Sequence, residues 1–162
     1  VKQVLAAKGD NRGWSAAWKI NLWARLGDAE AAYRIARMME TDISIHPQKE
    51  DSDRVPSMEG NQGIQAYTAG VVEMLMQSHA GEIELLPALP RAWPAGSIRG
   101  IRARGGVSLD LAWRDGRLAT AQLKTNFAGP QRLRTPGPVQ IVNNGQRVAA
   151  RQIDAGRPAR YS

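Results

Sequence analysis

Residues 13–28 read Gly13-Trp14-Ser15-Ala16-Ala17-Trp18-Lys19-Ile20-Asn21-Leu22-Trp23-Ala24-Arg25-Leu26-Gly27-Asp28. The apolar positions Trp14, Ala17, Trp18, Ile20, Leu22, Trp23 and Leu26 recur at helical spacing over more than one face, with Lys19, Asn21 and Arg25 as a polar minority. A helix that is apolar nearly all round is buried on most of its sides. Gly27 supplies a left-handed C-terminal residue and Asp28 can cap a following helix, so two helices meet with almost no linker. The second helix, expected near Ala29–Thr41, carries Ala32, Tyr33, Ala36 and Met39 on one stripe and Glu30, Arg34, Arg37 and Glu40 elsewhere. That is the pattern of an outer, half-solvated helix.

Working outward, the pattern breaks over residues 42–61, where His46-Pro47, a charged run from Gln48 to Arg54, Pro56 and Gly60 predict a long irregular loop. A third helix is expected from about Gln62 to Ser78, largely buried, ended by Gly81 and with His79 near its C-terminus. After Gly81 the period changes from 3.6 to 2. Glu82–Leu86 is a short strand candidate, and Pro87, Pro90, Pro94 and Gly96 interrupt regular structure. Val107–Trp113 alternates apolar and polar residues, turns at Arg114-Asp115-Gly116-Arg117 and returns through Leu118–Thr125. Val139–Val142 and Arg147–Ala149 around Asn143-Asn144-Gly145 predict a second hairpin.

The fold class is therefore α then β. Residues 1–86 form a helical part, 87–96 a proline-rich linker and 97–162 an antiparallel β domain with no parallel pair. Three tryptophans spread around one helix need more cover than two neighbouring helices give, so the chain reads as the C-terminal end of something larger, with inner helices that expose apolar surface.

Charge divides the 162 residues in the same way. Residues 1–96 carry 10 basic and 12 acidic side chains, and residues 97–162 carry 12 basic and 3 acidic ones. With no cysteine, a disulfide scaffold, a thiol nucleophile and a Cys-ligated zinc are excluded. No apolar run approaches the roughly 20 residues of a membrane span, so a soluble protein without a membrane partner is expected. The basic second half admits an alternative reading as a module for nucleic acid or another polyanion, through Arg99, Arg102, Arg104, Arg114, Arg117, Arg132 and Arg134, or as a non-catalytic carbohydrate-binding or structural domain. Trp113, Phe127 and Tyr161 form no stacking motif among these arginines, so nucleic acid is not the expected partner.

Candidate site residues lie in the first half, each with two readings. Glu59, in a Gly/Asn-rich turn before a buried helix, is either a solvated acid favoured by a helix N-terminus or a catalytic carboxylate. Asn61 is an N-cap or a sugar ligand. His46 before Pro47 is a plain loop residue or a ligand contact. Trp14 is core or a stacking platform for a sugar ring. Glu50, Asp51 and Asp53 lack the glycine-punctuated calcium loop and read as a solvated run, and no metal or cofactor is expected.

Gly13–Asp28, Met58-Glu59-Gly60-Asn61-Gln62-Gly63, Glu73-Met74-Leu75-Met76-Gln77-Ser78-His79, Glu84-Leu85-Leu86-Pro87-Ala88-Leu89-Pro90-Arg91-Ala92-Trp93-Pro94 and Arg104-Gly105-Gly106 together resemble the C-terminal part of glycoside hydrolase family 95, the inverting α-L-fucosidases and relatives acting on α-L-galactosides. The resemblance covers about residues 10–125. It implies the last helices of an (α/α)6 barrel followed by a small C-terminal β domain. It further implies an oligosaccharide substrate, a general acid from an N-terminal part of the same polypeptide and, in secreted or periplasmic relatives, an extracytoplasmic location. Glu59 matches the family's general-base aspartate, one methylene longer, and His46 its sugar-contacting histidine, here with a longer gap to the next motif. In strict geometry a shift of one bond costs on the order of 100-fold in rate.

Overall fold

A computed structural model describes residues 1–7, 14–45, 58–126, 129–143, 146–147, 152–154 and 159–161. The chain forms two compact units, Val1–Met74 and Leu75–Ser162. The proline-rich stretch read as a linker lies inside the second.

The first unit is helical: α1 (Lys2–Ala7), α2 (Trp14–Arg25), α3 (Ala29–Ile45) and α4 (Met58–Leu75). The α2–α3 hairpin is closed as its sequence specifies. Gly27, at φ 67°, donates to the Ala24 carbonyl at 3.0 Å, and the Asp28 N–H donates to the Trp23 carbonyl at 2.9 Å, which together satisfy orphan carbonyls at the end of α2. Asp28 then starts α3, its Oδ1 accepting from the Ala31 N–H at 3.2 Å. An Asp28→Ala variant is expected to lose about 1 kcal/mol of stability, checked by a shift of the denaturant midpoint at unchanged slope.

The core of this unit is Ala16, Ala17, Ile20, Trp23 and Ala24 of α2 against Ala32, Ile35, Ala36 and Met39 of α3, with Leu5 and Met74. Lys19 is drawn into it, only 4% exposed, with no hydrogen-bond partner for its ammonium among the described residues. Trp18, read as core, is 54% exposed, and Ile64 is 53% exposed. Both α2 and α4 thus carry exposed apolar surface.

Helix ends depart from the sequence reading. α3 runs to Ile45, because nothing stops it before His46, the residue that Pro47 disfavours in helical geometry. α4 begins at Met58, so Gly60 and Asn61 lie inside the helix and Asn61 does not occupy the N-cap position. A helical glycine costs about 1 kcal/mol, which the rest of an 18-residue helix outweighs. At the other end α4 stops at Leu75 and His79 is outside it: Met76–Gln77 (β1) leaves the helical pattern to pair with Ile83–Leu85 (β2), Met76 opposite Leu85. Residues 46–57 lie outside the described residues, and with them the charged run from Gln48 to Arg54.

The second unit holds two larger sheets. Gly96–Ala103 (β3), Val107–Arg114 (β4) and Arg117–Thr125 (β5) form an antiparallel meander. Along β4, Val107, Leu109, Leu111 and Trp113 are buried and alternate with half-exposed Ser108, Asp110 and Ala112. The β4–β5 turn has Asp115 at φ 54° and Gly116 at φ 67°, the paired left-handed residues a two-residue hairpin loop needs. The proline-rich stretch is tied to this sheet: the Trp113 indole donates to the Trp93 carbonyl at 3.0 Å and the Gly116 N–H to the Pro94 carbonyl at 2.8 Å.

The five-stranded sheet has the order β1, β2, Leu133–Thr135 (β6), Ala159–Tyr161 (β10), Gln152–Asp154 (β9). Within residues 97–162 every described pair is antiparallel, as expected; the parallel pair joins β6 to β2, in the part read as helical, with Ile83 opposite Leu133 and Glu84 opposite Arg134. The two segments are far apart in sequence, so no turn dictates their direction. The pair is fastened by Arg134, whose Nε donates to Glu82 at 2.7 Å. Burial pushes the Glu84 carboxyl above its usual range, and nearby Arg134 pulls it partly back. The expected second hairpin is a two-residue ladder, Val142–Asn143 (β7) with Gln146–Arg147 (β8); its Asn144-Gly145 centre lies outside the described residues. No described helix is long and apolar enough to cross a membrane.

Candidate active site

The site is organised by the seam between α2 and α4. Asn21, in the middle of α2, donates through Nδ2 to its own helix at the Ala17 carbonyl and across to the Ala66 carbonyl of α4, both at 3.0 Å. One turn further along, Arg25 makes a two-pronged pair with Glu73, Nε at 3.2 Å and Nη2 at 2.9 Å, and that hydrogen bonding raises the arginine's pKa. Between these contacts Gly70 is buried against Ile20. Rising numbers on α2 meet rising numbers on α4, so the two helices run parallel. α3 returns antiparallel to α2 and is tied to α4 by the Tyr67 hydroxyl, which donates to Glu40 at 2.5 Å. Burial, then that carboxylate, drives the phenol pKa well above its ordinary value.

The parallel register decides where the site residues fall. Trp14 precedes Asn21 by two helical turns, and Glu59 precedes Ala66 by two turns, so each lies about 10.5 Å along its axis from the cross-link. Trp14 and Glu59 both stand in the first turns of their helices, where each helix dipole presents its positive end. Ile64 and Thr68 of α4 are exposed, as is Trp18 of α2. α3 ends at Ile45, and His46 itself lies outside the described residues.

What the sequence reading missed is the seam itself. Asn21 was counted as polar remainder and Gly70 drew no comment. A single amide in an otherwise apolar helix is the available signal, since a buried side-chain amide has to find partners.

The family model of the glycoside hydrolase family 95 C-terminal domain matches residues 77–159, and that of the family's catalytic domain matches residues 1–75. The chain belongs to glycoside hydrolase family 95. The division between the two family domains coincides with the division between the helical and β units. Among family relatives, "Alpha-L-fucosidase 2" of Arabidopsis thaliana is 35% identical over 130 residues, 73% of this chain and 15% of that protein. "Probable alpha-fucosidase A" of Aspergillus oryzae (strain ATCC 42149 / RIB 40) is 29% identical over 119 residues, 64% of this chain and 16% of its own length. Its namesake in Aspergillus niger (strain ATCC MYA-4892 / CBS 513.88 / FGSC A1513) is 28% identical over 118 residues, 65% of this chain and 14% of its own. The family 95 chain thus spans about one sixth of the length of the relatives it matches.

Proposed function

We propose that this chain is the C-terminal part of an inverting exo-glycosidase that removes terminal α-L-fucosyl, or α-L-galactosyl, residues from oligosaccharides. In this reading α2 and α4 are inner helices and α3 an outer helix of an (α/α)6 barrel whose remaining wall comes from outside these 162 residues. What supports it is the match to the family's catalytic and C-terminal domains, with Trp14 and Glu59 in the first turns of α2 and α4. The names of the relatives supply the sugar.

Inverting hydrolysis needs an acid to protonate the leaving oxygen and a carboxylate to activate water on the opposite face, roughly 6.5–9.5 Å apart. Glu59 takes the second role. The positive N-terminal end of α4 favours its ionised form. Trp14 would stack on the sugar, and His46 and Asn61 would bind its hydroxyls. The acid lies elsewhere in the polypeptide. No cofactor or metal enters this scheme.

The test is the first-formed anomer. Proton NMR of the full-length protein acting on an aryl α-L-fucoside should show β-L-fucose appearing before mutarotation. α-L-Fucose appearing first, or no hydrolysis, would sink the assignment. The 162-residue chain alone should give no turnover, since loss of the acid removes about 10²–10⁴-fold and the open barrel side admits water.

A further inference from the structure

The β unit contains a cleft of about 350 Å³, within the range of roughly 300–1,000 Å³ typical of ligand sites. Three segments meet there: the turn between β1 and β2, with Ser78 and Glu82; the β3–β4 turn, with Arg104 and Gly105; and the approach to β6, with Gln131 and Arg132. Two hydrogen bonds fix them to one another. The Arg104 N–H donates to the Ser78 side chain at Oγ, 3.1 Å away, and the Ile83 N–H to the Arg132 carbonyl at 2.8 Å. The cleft is therefore held in shape by backbone groups of all three segments and by the Ser78 hydroxyl.

Its charge is uneven. Glu82 is neutralised by Arg134, whose Nη2 stands 2.6 Å from its carboxylate. The guanidinium groups of Arg104 and Arg132 are exposed and have no acidic partner among the described residues. Two free forks beside a neutralised carboxylate fit a carboxylate or sulfate oxygen pair. Ser78, Gln131 and the backbone at Gly105 offer neutral hydrogen-bonding groups of the kind that sugar hydroxyls require. Among the described residues that line the cleft there is no aromatic ring, so none of them offers a nucleic-acid base a stacking surface.

We propose that this cleft is a second carbohydrate subsite, distinct from the hydrolytic end of α2 and α4, which takes an anionic saccharide and reads its carboxylate or sulfate with Arg104 and Arg132. Only the saccharide part of this inference rests on the function proposed above. The Arg104-Gly105-Gly106 motif, which the hydrolytic site does not use, thereby has a role: it carries one of the two charges and shapes the turn that presents it.

The experiment is calorimetric titration of the full-length protein with tetragalacturonate, a sulfated galactose tetramer and the neutral galactose tetramer, with an oligonucleotide of equal charge as control. Preference for either acidic tetramer over the neutral one by about 10-fold or more is expected, as for one or two charge-assisted contacts; which of the two binds separates carboxylate from sulfate recognition. The double variant Arg104→Ala/Arg132→Ala should lose that preference while its rate on an aryl α-L-fucoside stays unchanged. Arg114→Ala/Arg117→Ala, at the opposite end of β4, should retain it. Equal binding of all four probes, tighter binding of the oligonucleotide, or equal loss in both double variants would overturn the proposal, as would no binding. Because the readout is binding, failure here leaves the anomer test standing, and failure of the anomer test leaves this one interpretable.

Discussion

Glu59→Gln in the full-length protein is expected to lower kcat on an aryl α-L-fucoside by about 10²–10⁴-fold, the usual worth of a positioned proton acceptor, with KM changed little. The amide keeps the shape of the carboxylate and its place at the head of α4, but it cannot take a proton from water. An effect on kcat without a matching one on KM is the mark of an interaction made only in the transition state. Removing the side chain and supplying a small anion separates a base from a structural acid. Glu59→Gly should be reactivated by azide, with β-L-fucosyl azide as product, because the anion needs no base and occupies the space the carboxylate left. A Glu59→Gln enzyme with unchanged kcat removes this residue from the chemistry. Glu59→Asp measures the departure from the family pattern: a slower enzyme means that the site has been rebuilt around the longer side chain, and a faster one that the extra methylene is merely tolerated.

How far the sequence could be read follows from the range of the interactions involved. The α2–α3 hairpin was legible because its determinants are adjacent: the apolar period, Gly27 and Asp28 lie within sixteen residues, and each acts on its neighbours. β4 and β5 were legible for the same reason, through strict alternation and an Asp-Gly turn. The ends of α4 were misread because local breakers lost to packing and pairing. Gly60 and Asn61 look like a loop but lie inside the helix, and Met76, a good helix former in an apolar stripe, is taken by the ladder with Leu85. The parallel β2–β6 pair joins segments that only the folded chain brings together. Glu59 is singled out only by resemblance to a family motif, whereas the contact between α2 and α4 joins segments some 45 residues apart, which no local pattern reports.

That register rests on one close approach, and breaking it is expected to cost both stability and rate. An added Cβ at Gly70 would lie 2.7 Å from Ile20 Cγ2 and 2.9 Å from Ile20 Cβ, with the Asn21 amide nitrogen at 3.1 Å. Ile20 is completely buried, and its Cβ is fixed to the backbone of α2. No rotamer of Ile20 moves that atom away, so the helices have to separate. Replacing a mid-helix glycine by alanine gains about 1 kcal/mol of helix propensity, whereas forcing apart a packed core typically costs about 1–3 kcal/mol. With the nearest atom unable to yield, the second effect wins, and Gly70→Ala should unfold at lower denaturant concentration in spite of its better propensity. Separation of α2 from α4 also stretches the bond from Asn21 to the Ala66 carbonyl and shifts Glu59 relative to Trp14. A displacement of about 1 Å at a catalytic group can cost about 100-fold, so kcat should fall by more than stability alone explains, measured well below the unfolding temperature. Ile20→Ala alone leaves a cavity and costs about 2–5 kcal/mol. Combined with Gly70→Ala, the new methyl group occupies part of that cavity, and the double variant should be more stable than the sum of the two single changes by at least about 1 kcal/mol. Strict additivity would mean that Gly70 and Ile20 do not set the spacing of the two helices.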